Sequence, residues 1–255
     1  MLKVEHVSKM YTRGIIKKHR VDAVRDVSFS IEKGNAMGIA GNSGCGKSTL
    51  ARMIMGLASP DRGTIYLEGE QVNGLSMKEM KPVRRRMQII FQHPESSLDP
   101  RKKIISSVLE PMEIHGIGEN REERMAKAER MFSMLGLNSR LYGRYPHQIS
   151  GGEAQRIIIA RALTLDPKVL ILDEPTSMLD VSIQAHIMNL LKELQKNLGL
   201  TYLLISHDLE VLCWFCDNIA IMNQGELIET GTKEQILSRP RQPFTKELVD
   251  SFFAF

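Results

Sequence analysis

The strongest chemical signal in the sequence is a glycine-rich segment that reads Gly41-Asn42-Ser43-Gly44-Cys45-Gly46-Lys47-Ser48. It fits the pattern G-x-x-x-x-G-K-[ST], follows the apolar residues 37–40 and precedes a helical pattern. Glycines let the backbone curve closely around an anion, so that successive N–H groups and a helix N-terminus point at phosphate oxygens. Lys47 adds positive charge for the β- and γ-phosphates, and the Ser48 hydroxyl is a ligand for Mg²⁺. The segment therefore predicts a nucleotide triphosphate site.

Two neighbouring acids form a second candidate site. Asp173 and Glu174 follow the apolar residues 169–172, which predict a buried strand. Ligands of α/β sheets lie at the carboxyl ends of strands, and a cation beside Asp173 would offset the repulsion between the two carboxylates. We expect Asp173 to hold Mg²⁺ through water. Glu174 is then left to take a proton from an attacking water as general base.

A second anion-binding device precedes another helical pattern. The segment Ile149-Ser150-Gly151-Gly152-Glu153 places a serine and two glycines where a helix begins. Backbone N–H groups at such a helix start can bind an anion. A chain with two of these devices has either two phosphate sites or one site that is shared across a dimer.

The elements that must position these residues alternate between strand and helix. Residues 1–75 read mainly as short strands and turns, with half-buried alternation over 24–31. A helical face follows Lys47, formed by Leu50, Met53, Ile54 and Leu57, and further helices are predicted over 104–135, 153–164 and 183–194. Strands are predicted over 169–172 and 200–206. This order favours a parallel α/β core that a mostly helical stretch, 93–152, interrupts.

Composition limits the class of protein. The chain has 255 residues, of which 42% are hydrophobic, and a net charge of 34 − 30 = +4, too weak to indicate nucleic acid by itself. No apolar run predicts a membrane-spanning helix, and the first residues lack the apolar centre of a signal peptide. The three cysteines, Cys45, Cys213 and Cys216, do not predict a disulfide framework. We therefore expect a cytoplasmic location.

With these motifs in this order, the sequence strongly resembles the ATP-binding subunits of ABC transporters over essentially its whole length. The matching residues are Tyr11 for the adenine-stacking aromatic, Gly41–Ser48 for the Walker A loop, Gln92 for the Q-loop, Ser150-Gly151-Gly152 for the signature, Asp173-Glu174 for Walker B, Asp180 for the D-loop and His207 for the switch histidine. Two residues depart from the family pattern. Glu153 stands where the signature usually has Gln, and Met178 stands where the D-loop commonly has Ala. The charge of Glu153 would weaken nucleotide binding unless its side chain points away.

The resemblance implies a fold, a reaction and a set of ligands. The fold is an α/β P-loop NTPase with a RecA-like core, an N-terminal antiparallel β subdomain and an inserted α-helical subdomain. The chain would be one domain, with core and β subdomain in 1–92 and 153–238, the helical subdomain with the signature in 93–152, and a tail in 239–255. The implied cofactors are ATP and Mg²⁺, the latter held by Ser48, Gln92 and Asp173, and Thr49 joins the residues of the Walker A loop in ATP binding.

The family reading also implies roles and partners. Cassettes pair head to tail, so that each ATP lies between the Walker A loop of one subunit and the signature of the other. Gln92 would sense the γ-phosphate, His207 would contact it and Asp180 would align the site. Expected partners are a second ATPase chain, identical or different, two membrane permease subunits and, through the complex, an extracytoplasmic solute-binding protein. The chain would lie peripherally on the cytoplasmic face of the membrane, without nucleic acid.

A finer resemblance points to the subgroup of peptide and nickel importers. It rests on residues 91–101 after the Q-loop strand, residues 179–185 at the D-loop, and residues 239–248 near the end of the chain. Peptide importers commonly continue into a longer cysteine-bearing extension, and its absence after Phe255 favours metal or metal-chelate cargo over peptides. We expect a short permease helix to enter a groove near Gln92 that is lined by Leu98 and its neighbours in 94–100.

Three other readings remain open on the sequence. A soluble ABC ATPase acting on nucleic acid or ribosomes would carry a long coiled coil or two cassettes. A P-loop kinase would lack a signature and a switch histidine. A binding-only cassette, which would not hydrolyse ATP, is the third. Only Glu153 supports this interpretation, because Lys47, Glu174 and His207 are all present.

Overall fold

A computed structural model describes residues 1–13, 19–177 and 179–253 of the protein. The described strands are β1 (Leu2–Arg13), β2 (His19–Ile31), β3 (Ala36–Ala40), β4 (Arg62–Leu67), β5 (Glu70–Gln71), β6 (Met87–Ile90), β7 (Val169–Asp173), β8 (Thr201–Ser206), β9 (Asn218–Asn223) and β10 (Glu226–Thr232). The described α-helices are α1 (Lys47–Ile54), α2 (Met77–Arg86), α3 (Ile104–His115), α4 (Arg121–Met134), α5 (Gly151–Leu163), α6 (Val181–Leu198), α7 (Leu209–Phe215), α8 (Lys233–Ser238) and α9 (Pro243–Phe253).

The chain divides into two compact units. The first contains Met1–Val83 and Gly199–Phe255, and the second contains Arg84–Leu198. The helical subdomain predicted over 93–152 stays a prediction. Within the described parts of the chain, no helix is both long enough and apolar enough to cross a bilayer.

In the first unit, β1, β2, β4 and β5 form a sheet of order β2-β1-β4-β5, in which neighbouring strands pair antiparallel. The alternation predicted over 24–31 is confirmed, because Val24, Val27, Phe29 and Ile31 are all buried. The three-residue step from Val24 to Val27 interrupts the two-residue period. Asp26 lies in this step with a φ of 46°, and the register of β1 and β2 shifts nearby, which indicates a β-bulge.

The first unit also contains β3, a strand whose five residues are all buried. It runs parallel to β8 on one side and to β9 on the other, in the order β10-β9-β3-β8. A strand buried on both faces reads as a continuous apolar run, which is the pattern of residues 36–40. The glycine-rich segment follows the carboxyl end of this central strand and leads into α1.

The second unit combines a parallel strand pair with helices. β6 and β7 pair in parallel, with Ile90 opposite Leu172. The helical region predicted over 104–135 is two helices instead of one, because Gly116 ends α3 with a φ of 64° and the Asn120 side chain caps α4. The helix after Lys47 is also shorter than predicted. It ends at Ile54, and Leu57 is exposed beyond it.

Candidate nucleotide-binding site

The Walker A segment forms a tight loop between β3 and α1. A Cβ added to Gly41 would lie 2.2 Å from the Met222 carbonyl oxygen, and one added to Gly46 would lie 2.1 Å from that of Ala23. Real Cβ atoms do not approach backbone oxygen so closely, and Gly46 also has a left-handed φ of 114°. Both positions therefore need glycine. The spacing of these glycines in the motif follows from the close packing of the loop against the backbone of Met222 and Ala23 in the first unit.

Lys47 lies inside this loop. Its ammonium donates to the carbonyl oxygens of Gly41 at 2.7 Å and Asn42 at 3.0 Å, and the residue is only 4% exposed. Both acceptors are neutral, so these bonds hold the ammonium in place without neutralising its charge. A buried cation is costly unless it is paired. The loop therefore carries a fixed positive charge that favours an anion, as the sequence predicts.

His207 leaves the sheet beside the Walker A loop. β3 and β8 run parallel, and Ala40 pairs with Ser206. The next residues, Gly41 and His207, therefore emerge at the same edge of the sheet. His207 is exposed, and Asp208 after it caps α7 by accepting from the N–H groups of Glu210 and Val211.

The second unit brings Gln92 and Glu174 together. Because Ile90 is paired with Leu172, the residues that follow the two parallel strands also lie side by side. The Gln92 side-chain N–H₂ donates to Glu174 Oε2 at 3.0 Å. Asp173, the last residue of β7, is buried with 7% exposure. The sequence predicted each residue from its own motif, and the structure adds the direct bond between two of them.

Glu174 has an unusual backbone. Its φ of 50° places it in the left-handed region, which a non-glycine residue adopts at a cost of about 1–3 kcal/mol. Strained residues of this kind cluster at active sites, where the surrounding structure holds them in place. The Gln92 bond and the strained backbone together fix the direction of one carboxylate, as a general base requires.

The signature begins α5 with a reciprocal hydrogen-bond pattern. The Ser150 hydroxyl accepts from the Glu153 N–H at 3.3 Å, and Glu153 Oε2 accepts from the Ser150 N–H at 2.8 Å. This is a capping box, in which Glu and Gln serve equally at the third helical position. Glu153 therefore preserves the helix start, but its side chain does not point away: the carboxylate lies at the helix N-terminus.

The D-loop packs against the signature glycines within the second unit. A Cβ on Gly151 would lie 3.3 Å from Leu179, and one on Gly152 would lie 2.9 Å from Ile183. Asp180 Oδ1 accepts from the Ile183 N–H at 2.9 Å, which fixes the start of α6. The two motifs thus share one surface. Met178, the other departure from the family pattern, lies outside the described residues.

Tyr11 lies in β1 opposite Val21 of β2. Its side chain is unusually accessible for a tyrosine on a sheet, at 39% exposure, and Val21 is exposed as well. An exposed aromatic ring on a strand suits stacking against a planar group. The structure places this ring and the Walker A loop in the same compact unit.

The prediction that Leu98 lines a groove for a permease helix is wrong. Leu98 is 3% exposed, so its side chain is buried and offers no surface to a partner. Pro94 is buried too, whereas His93, Ser96 and Pro100 are exposed. A leucine within a polar, proline-containing segment reads as exposed from local sequence, but here it anchors the segment.

We therefore expect Leu98→Asp to destabilise the folded protein and not to act by uncoupling it from a partner. Burying a carboxylate at this position should lower the free energy of unfolding by about 3–5 kcal/mol, as measured by urea denaturation. Ser96→Asp is the matched control, because Ser96 is exposed two residues away. Equal unfolding free energies for the two variants would contradict the burial of Leu98.

Sequence reasoning missed Arg161 in α5. Its guanidinium donates to the Ser97 carbonyl oxygen at 2.7 Å and lies 3.6 Å from a carboxylate oxygen of Glu110. It thereby ties the segment after Gln92 to the helix that begins at the signature. Nothing in the local sequence distinguishes this arginine from an ordinary solvated helix residue.

The chemistry of the site described above does not require a cysteine thiol. Burial raises the pKa of the Cys213 thiol to about 11, which keeps it protonated and unreactive near neutral pH. Cys45 and Cys216 are buried. Over the residues that the structure describes, no group of three or more His, Cys, Asp or Glu side chains is arranged to hold a metal ion.

Comparisons with known proteins agree with this geometry. The sequence model of the ABC transporter family matches residues 24–177. The oligopeptide transport ATP-binding protein OppF of Bacillus subtilis is 42% identical over 254 residues, covering 98% of this chain and 82% of OppF. The dipeptide transport ATP-binding protein DppF of Escherichia coli is 44% identical over 231 residues, covering 91% of this chain and 69% of DppF.

Solved structures confirm the predicted α/β fold. The dimeric structure of MJ0796, a bacterial ABC transporter cassette, is 32% identical with a TM-score of 0.83, covering 91% of this chain and 99% of that one. A dimeric post-hydrolysis state of the same cassette, bound to ADP and phosphate, has a TM-score of 0.82 with the same identity and coverage.

Proposed function

The chain belongs to the ABC transporter family, and from this premise we propose that it is the ATP-hydrolysing subunit of an importer for dipeptides or oligopeptides. It is an ABC-type ATPase that converts ATP and water to ADP and phosphate. The observation that carries the site assignment is the direct bond between Gln92 and a backbone-strained Glu174. The relatives described above, named for oligopeptide and dipeptide transport, support the cargo class.

In the first unit, the Walker A loop binds the triphosphate. Its N–H groups and the N-terminus of α1 bind phosphate oxygens, and the buried Lys47 ammonium supplies the charge at the β- and γ-phosphates. Tyr11 stacks on adenine. His207, at the same sheet edge as the loop, contacts the γ-phosphate.

Mg²⁺ suits the donors that the motifs supply. Ser48, Asp173 and Gln92 offer oxygen atoms, the ligand type that Mg²⁺ prefers, with Asp173 acting through water. The Gln92 N–H₂ group already donates to Glu174, which leaves its carbonyl oxygen as the ligand atom. When bound, Mg²⁺ neutralises part of the charge on the phosphates.

Glu174 acts as general base. Its carboxylate accepts a proton from the water that attacks the γ-phosphorus, and Gln92 holds that carboxylate in one direction. The rest of catalysis is positioning and electrostatic stabilisation of an in-line attack, because phosphoryl transfer needs little covalent chemistry from the protein. Once the γ-phosphate has been released, the contacts that it made in bound ATP are lost.

The signature completes the site across a dimer. Ser150, Gly151 and Gly152 present the N-terminus of α5 to the γ-phosphate bound by a second ATPase chain, identical or different. Asp180 and Leu179 belong to the same surface and align it. The dimeric assembly named for the MJ0796 cassette supports this arrangement.

The charge of Glu153 opposes the same contact. Its carboxylate lies at the helix start, where it repels an incoming triphosphate. Glu153→Gln keeps the capping box and removes the charge, so we expect ATP-driven dimers to form at a severalfold lower ATP concentration, measured by sedimentation velocity. Unfolding free energy should change by less than about 0.5 kcal/mol. Weaker dimerisation in Glu153→Gln would mean that the carboxylate itself contributes to the site.

Membrane partners complete the proposed complex. Two permease subunits receive the motion, with an extracytoplasmic solute-binding protein delivering cargo, and the chain lies peripherally on the cytoplasmic face. The exposed residues around Gln92, among them His93 and Ser96, are the candidates for permease contact now that Leu98 is excluded. The predicted preference for metal cargo gains no support from relatives named for peptides.

Reconstitution tests this function. The chain is expressed in its source cells, purified with the membrane proteins that accompany it, and returned to vesicles. Peptide-loaded binding protein is expected to stimulate ATP hydrolysis and to drive peptide uptake, both of which should vanish in the Glu174→Gln complex. Stimulation by nickel instead, or co-purification of ribosomes or DNA without a permease, would overturn the proposal.

A further inference from the structure

The strand segment that carries Tyr11 extends beyond the sheet. Among the described residues, pairing between β1 and β4 ends at Ser8 and Arg62, whereas β1 and β2 remain paired through Arg13. Tyr11 therefore lies on a two-stranded ribbon, an arrangement that is marginally stable alone. The β1–β2 register also shifts on both sides of Lys9. Something besides regular strand pairing must fix the ring.

Asp61 holds the three residues that precede Tyr11. Its N–H donates to the Ser8 carbonyl oxygen at 2.9 Å. Its carboxylate accepts from the Lys9 ammonium at 2.8 Å and, through the other oxygen, from the Met10 N–H at 2.8 Å. These bonds, that from Lys9 first, hold the pKa of the Asp61 carboxyl below its ordinary value, so that the group stays ionised.

Lys9 transmits this contact to the ring. Its ammonium lies over the Tyr11 ring, 5.6 Å from the centroid, which is within cation–π distance. The Lys9 side chain is 16% exposed, so it is held more firmly than an ordinary surface lysine. With the ammonium over one face of the ring, a planar base can stack only on the other face.

We propose that Asp61 is a positioning residue for nucleotide binding, which fixes the Tyr11 ring through Lys9 and the Met10 backbone so that one ring face is presented to adenine. This rests on the proposed role of Tyr11. An isolated surface ion pair contributes little stability. Asp61, however, adds two backbone hydrogen bonds, to Ser8 and Met10, to its ion pair with Lys9, at the point where β4 stops pairing with β1. Its effect is on the base, not on the phosphates.

Three variants of the full chain test this role. Affinity is measured with a fluorescent ATP analogue and by competition with inorganic triphosphate. We expect Asp61→Ala to weaken ATP binding by about three- to tenfold, with kcat at saturating ATP within twofold and triphosphate affinity unchanged. Lys9→Met, which keeps the Asp61–Met10 bond, should weaken ATP binding by about twofold. Glu5→Ala removes the Lys3–Glu5 ion pair on the same strand and is the matched control, with no change expected.

A double-mutant cycle separates the two proposals. If Asp61 acts through the ring, Asp61→Ala should weaken ATP binding no further in a Tyr11→Ala background. Tyr11→Ala with unchanged affinity would overturn the adenine role of Tyr11. Tyr11→Ala that weakens binding while Asp61→Ala and Lys9→Met do not, or an additive double mutant, would overturn the role of Asp61 alone. Should Asp61→Ala unfold, Asp61→Asn and Lys9→Met carry the same test.

Discussion

Glu174→Gln is expected to reduce ATP turnover by about 10²–10⁴-fold while ATP binding is retained. Glutamine has nearly the shape of glutamate, but its amide does not accept a proton from water at neutral pH. The bond from Gln92 can be kept, because the glutamine carbonyl oxygen accepts as the Glu174 oxygen does. The lost rate therefore reports the general base and not the geometry. Steady-state phosphate release and equilibrium ATP binding measure the two effects separately.

Glu193→Gln is the control for this variant. Glu193 is an exposed carboxylate of α6 outside the proposed site, and its replacement should leave turnover and binding unchanged. Turnover of Glu174→Gln within tenfold of the unaltered chain would show that another group accepts the proton. The binding-only reading predicts a different pattern, in which the unaltered chain itself binds ATP without hydrolysing it.

Lys47→Ala is expected to weaken ATP binding by at least about 100-fold, close to 2.8 kcal/mol. The ammonium is buried in the Walker A loop and donates to the neutral carbonyl oxygens of Gly41 and Asn42. Removing it takes away the fixed charge that faces the phosphates, and leaves both carbonyl oxygens to find other donors. Isothermal titration calorimetry with ATP and Mg²⁺ measures the loss.

Lys47→Met separates charge from packing. Methionine retains most of the side-chain volume inside the loop but carries no charge, so it should bind ATP as poorly as the alanine variant. Thermal unfolding of both variants without nucleotide verifies that the first unit stays folded. Binding by Lys47→Met within tenfold of the unaltered chain would mean that the backbone N–H groups alone hold the phosphates.

Local patterns predicted the parts of the site that neighbouring residues build. The Walker A loop was predictable because its glycines and its lysine fall within eight consecutive positions, at the start of the following helix. The signature start was predictable for the same reason, since Ser150 and Glu153 form a capping box within one turn. In both places the sequence and the backbone specify the same structure over a short range.

Contacts between distant positions could not be predicted. Gln92 and Glu174 are 82 positions apart, and their bond depends on the parallel register of β6 and β7, which no local pattern encodes. The left-handed φ of Glu174 is likewise a consequence of tertiary context. Leu98 was wrongly predicted to be exposed, because local sequence does not show whether a leucine in a loop is buried. The bonds from the Asp61 carboxylate to Lys9 and Met10 of β1 span 52 and 51 positions, and they were unpredictable for the same reason.

A structure of the Glu174→Gln chain crystallised with ATP and Mg²⁺ tests the central claim most directly. We predict a head-to-tail dimer in which Ser150 of each chain lies within hydrogen-bond distance of the γ-phosphate that the Walker A loop of the other chain holds. A triphosphate bound by one Walker A loop, with Ser150 far from any nucleotide in every assembly, would contradict it.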